Sequence, residues 1–228
     1  MDNDLADIRR RIFTAAGGEE AFRTELPFLF RQAIDELIDA PRTRRLRLDQ
    51  LDANEKAVLG IKVEAALRYL LDFPRGKLDF KIGPHDVDVK FTMRDNWMIP
   101  PEAVGHPCLV CRVSESDALF WLGLLKATPE NLTSKPNRDG KLSASAAGRG
   151  NIQWIAEAEP FPENVWERLS QSEAQEIFDP SAGTDRIVLL FKKFVGRPIH
   201  RSTIHAVARQ HDYMKRIRTN QGARDHLH

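Results

Sequence analysis

Asp79, Asp88 and Lys90 have the side-chain types and the spacing to hydrolyse a phosphate ester. That reaction needs a cation against the charge that develops on the phosphate, an activated water, and stabilisation of the leaving oxygen. Magnesium is a hard ion that takes oxygen ligands, so one or a few carboxylates, a backbone carbonyl and waters suffice. Asp79 and Asp88 would supply the carboxylates, and the ammonium of Lys90, two residues beyond Asp88, would orient and help deprotonate the attacking water. Glu64 offers a third carboxylate and the Val89 carbonyl a further ligand. The triplet Asp-x-Lys alone decides little, because it recurs at Asp79-Phe80-Lys81 and Asp139-Gly140-Lys141.

The segment carrying these residues reads as a β-hairpin. Apolar and charged residues alternate in Leu78-Asp79-Phe80-Lys81-Ile82, Gly83-Pro84 breaks the chain, and Asp86-Val87-Asp88-Val89-Lys90-Phe91 alternates again. Leu78, Phe80 and Ile82 with Val87, Val89 and Phe91 form the buried face. Asp88 and Lys90 then share the other. Taken alone, this polar face is also what a solvated edge hairpin would show.

Before the hairpin, residues 5–13 and 19–39 read as helices, with Pro27 at an N-terminus or a kink. Arg42, Arg44, Arg45 and Arg47 form a basic loop. Asn54 is the expected N-cap of a helix that ends near Pro74, with Val58, Ile61, Ala65 and Leu71 as its apolar stripe and Glu64 beside it. Strands follow at 108–113 and 119–126, then a polar loop from Ser134 to Gly150 carrying Lys135, Arg138, Lys141 and Arg149. Residues 156–164 resemble a linker. Helices are expected at about 164–178, 184–195, 202–210 and 212–219.

Composition sets the outer limits. The 228 residues, 42% hydrophobic and 29% charged, suit a folded domain of about 150 residues plus an appendage. No apolar run approaches the roughly 18 residues of a membrane span, and the acidic opening Met1-Asp2-Asn3-Asp4 leads into Arg9-Arg10-Arg11 rather than a signal segment, so a cytoplasmic location is expected. The two cysteines, Cys108 and Cys111, lack the further ligands of a zinc site and lie in a predicted strand, so they read as reduced core residues. Net charge is +1 overall, but the stretch from Thr184 onward carries +7 and residues 1–183 carry −6. Such a tail suits a polyanion. Within it, Arg201–Gln210, a break at His211-Asp212 and Tyr213–Arg218 read as helix-turn-helix, presenting Lys215, Arg216 and Arg218.

The run Arg42-Thr43, Glu55-Lys56, Gly60, Val63-Glu64, Asp79, Val87-Asp88, Lys90-Phe91, Trp97-Met98 and Pro100-Pro101-Glu102 resembles the NaeI-like type IIE restriction endonucleases. The similarity continues through Gly105-His106, Cys108-Leu109-Val110, Asn137-Arg138-Asp139 and Gly148-Arg149. It returns at Gly196-Arg197, Val207-Ala208, Met214-Lys215-Arg216 and Gly222-Ala223-Arg224. The resemblance implies an α/β fold with a restriction-endonuclease-like PD-(D/E)xK core, cutting palindromic double-stranded DNA with Mg2+. It places the catalytic carboxylates on Glu64, Asp79 and Asp88 and the lysine on Lys90; Leu78 stands where the motif's proline would be. It also likens the tail to part of a second, winged-helix DNA-binding domain related to the catabolite activator's, which in that family binds an activating copy of the site.

The expected organisation is an endonuclease domain over 1–155, a linker over 156–164 and a helix-turn-helix segment over 165–228. The metal ligands would be Asp79, Asp88, Val89 and Glu64. The DNA contacts would be Arg42, Arg44, Arg201, Lys215, Arg216 and Arg218. Cutting both strands of a palindrome calls for a homodimer. Two rival readings use the same scaffold, a DNA-binding regulator without cleavage and a strand-nicking repair nuclease.

Overall fold

The computed structural model describes residues 3–218 and 222–227. Met1 and Asp2 at the start of the expected nuclease domain, and residues 219–221 and His228 of the expected helix-turn-helix segment, lie outside them. The chain gathers into two compact units, one of residues up to Ala33 with Ala57–Glu163, the other of Ile34–Lys56 with the chain from Asn164 on. No described helix is long and apolar enough to cross a membrane.

The first unit opens with α1 (Asn3–Ala15), which buries Leu5, Ile8 and Ile12 at helical spacing. In α2 (Glu19–Ile38), Phe22, Leu26 and Phe30 are fully buried. Pro27 lies inside this helix, which forgoes one N–H donor there and continues. A single turn, α3 (Ala40–Thr43), contains Arg42, so the expected basic loop begins only after it. The long helix α4 (Ala53–Leu71) is capped by Asp52, not Asn54: the Asp52 carboxylate accepts the Glu55 N–H at 2.9 Å while Glu55 accepts the Asp52 N–H at 2.9 Å. Its buried stripe is Leu59, Val63, Leu67 and Leu71, whereas Val58 and Ile61 are exposed, Ile61 at 65%. Apolar residues on both sides of the helix had left its rotation ambiguous, and only packing chose between them.

The strands are β1 (Phe80–Ile82), β2 (His85–Thr92), β3 (Met98–Ile99), β4 (Pro107–Ser114), β5 (Leu119–Lys126), β6 (Leu142–Ser143) and β7 (Gln153–Pro160). Five form a mixed sheet in the order β1-β2-β4-β5-β7, in which only β2 and β4 run parallel. Residues 156–160, read from composition as linker, are the second half of β7, with Ala156 opposite Leu122 and Glu159 opposite Phe120. Strand β4 is buried almost throughout, as a central strand covered on both faces must be, and holds Cys108 and Cys111 as buried free thiols. The pair β3 and β6 forms a separate antiparallel ribbon. A short helix, α5 (Ala146–Gly150), follows β6, with Gly148 pressed so closely on the Asn131 carbonyl that no side chain fits.

In the second unit, the helix expected over 164–178 is split. A 3-10 turn, Val165–Arg168, precedes α6 (Gln171–Phe178), which starts at a capping box between Ser170 and Glu173. Then come α7 (Gly183–Lys193) and α8 (Arg201–Ala208). Trp166 packs edge-on to Phe178 and Phe194 at 5.0 and 6.5 Å. Residues 34–56 join through the Asn164 amide donating to the Leu46 carbonyl at 2.7 Å and the Gln171 amide to the Arg44 carbonyl at 2.7 Å. The helix expected over 212–219 is instead a 3-10 turn, Tyr213–Arg216. No residue of that turn is buried, so no packing supports a longer α-helix.

Candidate active site

The hairpin fixes the site's geometry. Gly83, at φ 58°, makes the tight turn that pairs Phe80 with Val87, Lys81 with Asp86 and Ile82 with His85. Continued by one pair, this register sets Asp79 opposite Asp88. The Asp79 carboxylate accepts the Val89 N–H at 2.7 Å, which draws it onto β2. Lys90 Nζ lies 2.7 Å from Asp88 Oδ2, so the two share a face as the alternation required.

This face is not solvated. Asp88 is only 4% exposed because β2 is an inner strand, with β4 placing Cys108 beside it in parallel register. Burial, reinforced by the neighbouring Asp79, pushes the Asp88 carboxyl up to about 6 against the pull of Lys90. Its Oδ2 has ion-pair distance to Lys90 but not the alignment of a hydrogen bond, and among the described residues no other donor reaches it. Burial, with the Asp88 charge adding to it, likewise pushes the Cys108 thiol up to about 12, so that thiol is inert.

Glu64 reaches the site by an indirect route. Its carboxylate is paired with Arg68, one helical turn on, at 2.5 Å. Arg68 in turn donates to the Asp79 carbonyl at 3.2 Å and lies over the Phe80 ring at 5.4 Å. Arg68 is thus a positioning residue between α4 and the hairpin that the sequence reading passed over. Its signal was the Glu64–Arg68 spacing of four on a helix. Among the described residues, no three His, Cys, Asp or Glu side chains are gathered to hold a metal. The competing triplets are accounted for: Lys81 is held by Asp86 at 3.0 Å, and Asp139–Lys141 lies in an exposed loop.

The other candidates all lie in the second unit. Arg42 is paired with Asp39 at 3.1 Å and is 71% exposed at its side chain. Arg44 is occupied by Asp179 at 3.3 Å and the Phe178 ring at 5.5 Å. Arg201 begins α8 and is exposed, as are Lys215 and Arg218; Arg216 is half-buried. Part of the tail's positive charge is structural. The buried Arg186 guanidinium donates to the carbonyls of Pro180, Ser181, Val207 and Ala208, and Lys193 is paired with Glu173.

A family model described as "Restriction endonuclease NaeI" matches residues 24–228, which places the chain in the class of site-specific endonucleases. The chain is also 33% identical over 235 residues to the type II restriction enzyme NaeI of Lentzea aerocolonigenes, across 99% of this chain and 73% of that protein. It belongs to the NaeI restriction endonuclease family.

Proposed function

We propose that this chain is a type II restriction endonuclease that hydrolyses phosphodiester bonds of double-stranded DNA at a specific palindromic site, as a cytoplasmic homodimer with magnesium as cofactor. The observation that carries the reading is the Asp88 carboxylate, buried against Asp79 with Lys90 at 2.7 Å. A buried carboxylate with a second carboxylate beside it is costly in a protein at rest, and a cation at that point would offset the cost. The donors fit magnesium in kind: the Asp79 and Asp88 carboxylates offer oxygen, and one of these oxygens, Asp88 Oδ2, is buried without a hydrogen-bond partner among the described residues.

Asp79, Asp88 and the Val89 carbonyl would hold the ion, with Glu64 as a further ligand. Bound there, it would neutralise phosphate charge and lower the pKa of a water. Lys90 holds its ammonium against Asp88, where it can orient the attacking water and take part in its deprotonation. Asp79 is kept in place by the Val89 N–H, and Arg68 keeps Glu64 aimed at the same strand end. The core is of PD-(D/E)xK type with Leu78 in the proline's place. The unit of residues up to Ala33 with Ala57–Glu163 carries catalysis, and the unit of Ile34–Lys56 with the chain from Asn164 on forms the partial winged-helix segment. Within that segment, Arg42, Arg201, Lys215, Arg216 and Arg218 contact the DNA backbone or bases.

Incubation with plasmid and magnesium tests this. Discrete fragments support the reading, a nicked circle favours a strand-nicking nuclease, and binding without cutting favours a regulator.

A further inference from the structure

The polar loop that the catalytic assignment leaves unused is built as an arm. Ser134–Lys141 are eight consecutive exposed residues. Their stem is closed by Thr133 N–H donating to the Ser143 carbonyl at 2.8 Å, Ser143 N–H to the Thr133 hydroxyl at 3.1 Å, and a bridge between Leu132 and Ala144. Their tip is set by Asn137. Its side-chain oxygen accepts the N–H groups of Asp139 and Lys141 at 3.0 and 2.9 Å, and its own N–H donates to the Lys141 carbonyl at 2.8 Å. Gly140, at φ 77°, completes the turn.

On this ordered backbone stand Lys135, Arg138 and Lys141, none of which has an ion pair among the described residues; Asp139 is the loop's one acidic residue. A backbone ordered in advance while its cations stay unneutralised is what a polyanion partner exploits. The arm is also rigidly referenced to the catalytic hairpin. Strand β6 at its base pairs with β3, shortly after β2, and Ala144 N–H donates to the Trp97 carbonyl at 3.1 Å. Leu142 in β6 at the arm's base and Leu78, next to Asp79, pack on one core cluster, which includes Cys108, the register partner of Asp88. A contact made by the arm therefore fixes where the catalytic carboxylates meet the phosphate chain.

We propose that Ser134–Lys141 is a DNA-reading arm of the nuclease unit, in which Arg138 at the tip reads a base edge while Lys135 and Lys141 on its two sides hold phosphates. The proposal rests on DNA being the substrate. An ordered, protruding loop can enter a DNA groove, and a guanidinium bonds a guanine edge through two parallel donors, which an ammonium cannot imitate.

Gel-shift affinities for a plasmid-derived fragment, measured without magnesium over a salt series, test the lysines. Sequencing the ends released by magnesium from a randomised plasmid library tests Arg138. The double variant Lys135→Ala with Lys141→Ala is expected to lower the slope of log affinity on log salt by about 2, and the control Arg23→Ala on α2 to leave it unchanged. Arg138→Lys keeps the charge and is expected to reduce discrimination at one base pair by roughly 5- to 150-fold, with other positions unaltered. Unchanged slope in the double variant together with unchanged preference in Arg138→Lys overturns the arm. Because the salt slope is read without cleavage, a wild type that cuts nothing but loses slope in the double variant sinks the nuclease reading and leaves the arm standing.

Discussion

Asp88→Asn is expected to stabilise the metal-free protein while abolishing its chemistry. The Asp88 carboxyl sits at about 6 in the fold against 3.8 when free. At about 1.4 kcal/mol per unit, keeping it ionised costs the native state roughly 3 kcal/mol at neutral pH. An amide of the same shape removes that cost. The pull of Lys90 is already contained in that value, so losing it subtracts nothing further. The gain of roughly 3 kcal/mol corresponds to a midpoint higher by about 6–12 °C for a chain of this length. The pH dependence follows from the direction of the shift. With the folded value raised, the wild type carries no penalty below about pH 4, where the carboxyl is neutral in both states. The penalty develops between about pH 4 and 6 and is complete above that, so the advantage of the variant should be full at pH 8 and vanish near pH 4. Thermal melts followed by circular dichroism in a chelator, from pH 4 to 8, measure this. Adding magnesium at pH 8 should raise the wild-type midpoint and leave the variant's in place. A variant that melts at or below the wild type at pH 8, with no convergence toward pH 4, refutes the argument that this carboxylate is held under electrostatic load.

Arg68→Ala should leave the fold intact and reduce cleavage about 10- to 100-fold, because Glu64 loses the guanidinium that ties it to the Asp79 carbonyl; single-turnover rates with unchanged circular dichroism would check it. Glu173, held down to about 2 by the Ser170 N–H and then Lys193, contributes stability above pH 4.5 that is lost as pH falls toward 2. Glu173→Gln should therefore melt lower than the wild type at pH 7, with the difference gone near pH 2. Trp166→Ala removes the ring that packs on Phe178 and Phe194 and should cost about 3–5 kcal/mol, seen as earlier protease nicking of the second unit.

The hairpin was legible because its signal is local: alternation fixes the faces, and a turn at Gly83 fixes the register that brings Asp79 to Asp88. The burial of Asp88 was not, since it depends on β4 lying beside β2, a pairing across some twenty residues that no short window encodes. The same applies to the second unit. Asn164 bonding Leu46 unites segments more than a hundred residues apart, so the tail looked like a separate appendage. Two boundaries were readable and were missed: Asp52 with Glu55, and Ser170 with Glu173, are both capping boxes. In the tail, basic residues at Lys215, Arg216 and Arg218 resembled a helix face, yet the fold buries nothing in Tyr213–Arg216 and forms only a 3-10 turn. Charge pattern alone does not stabilise a helix.

The central claim is that Asp88 and its neighbours cut DNA through a bound cation, and supercoiled plasmid incubated with the wild type and with Asp88→Ala tests it most directly. The expected result is discrete fragments from the wild type with magnesium and none after thorough chelation. Asp88→Ala should yield no product at any magnesium concentration while its gel-shift affinity without metal is equal or higher, since a negative charge facing the phosphate has been removed. Cutting by Asp88→Ala at a near wild-type rate, or by the chelated wild type, would contradict the assignment.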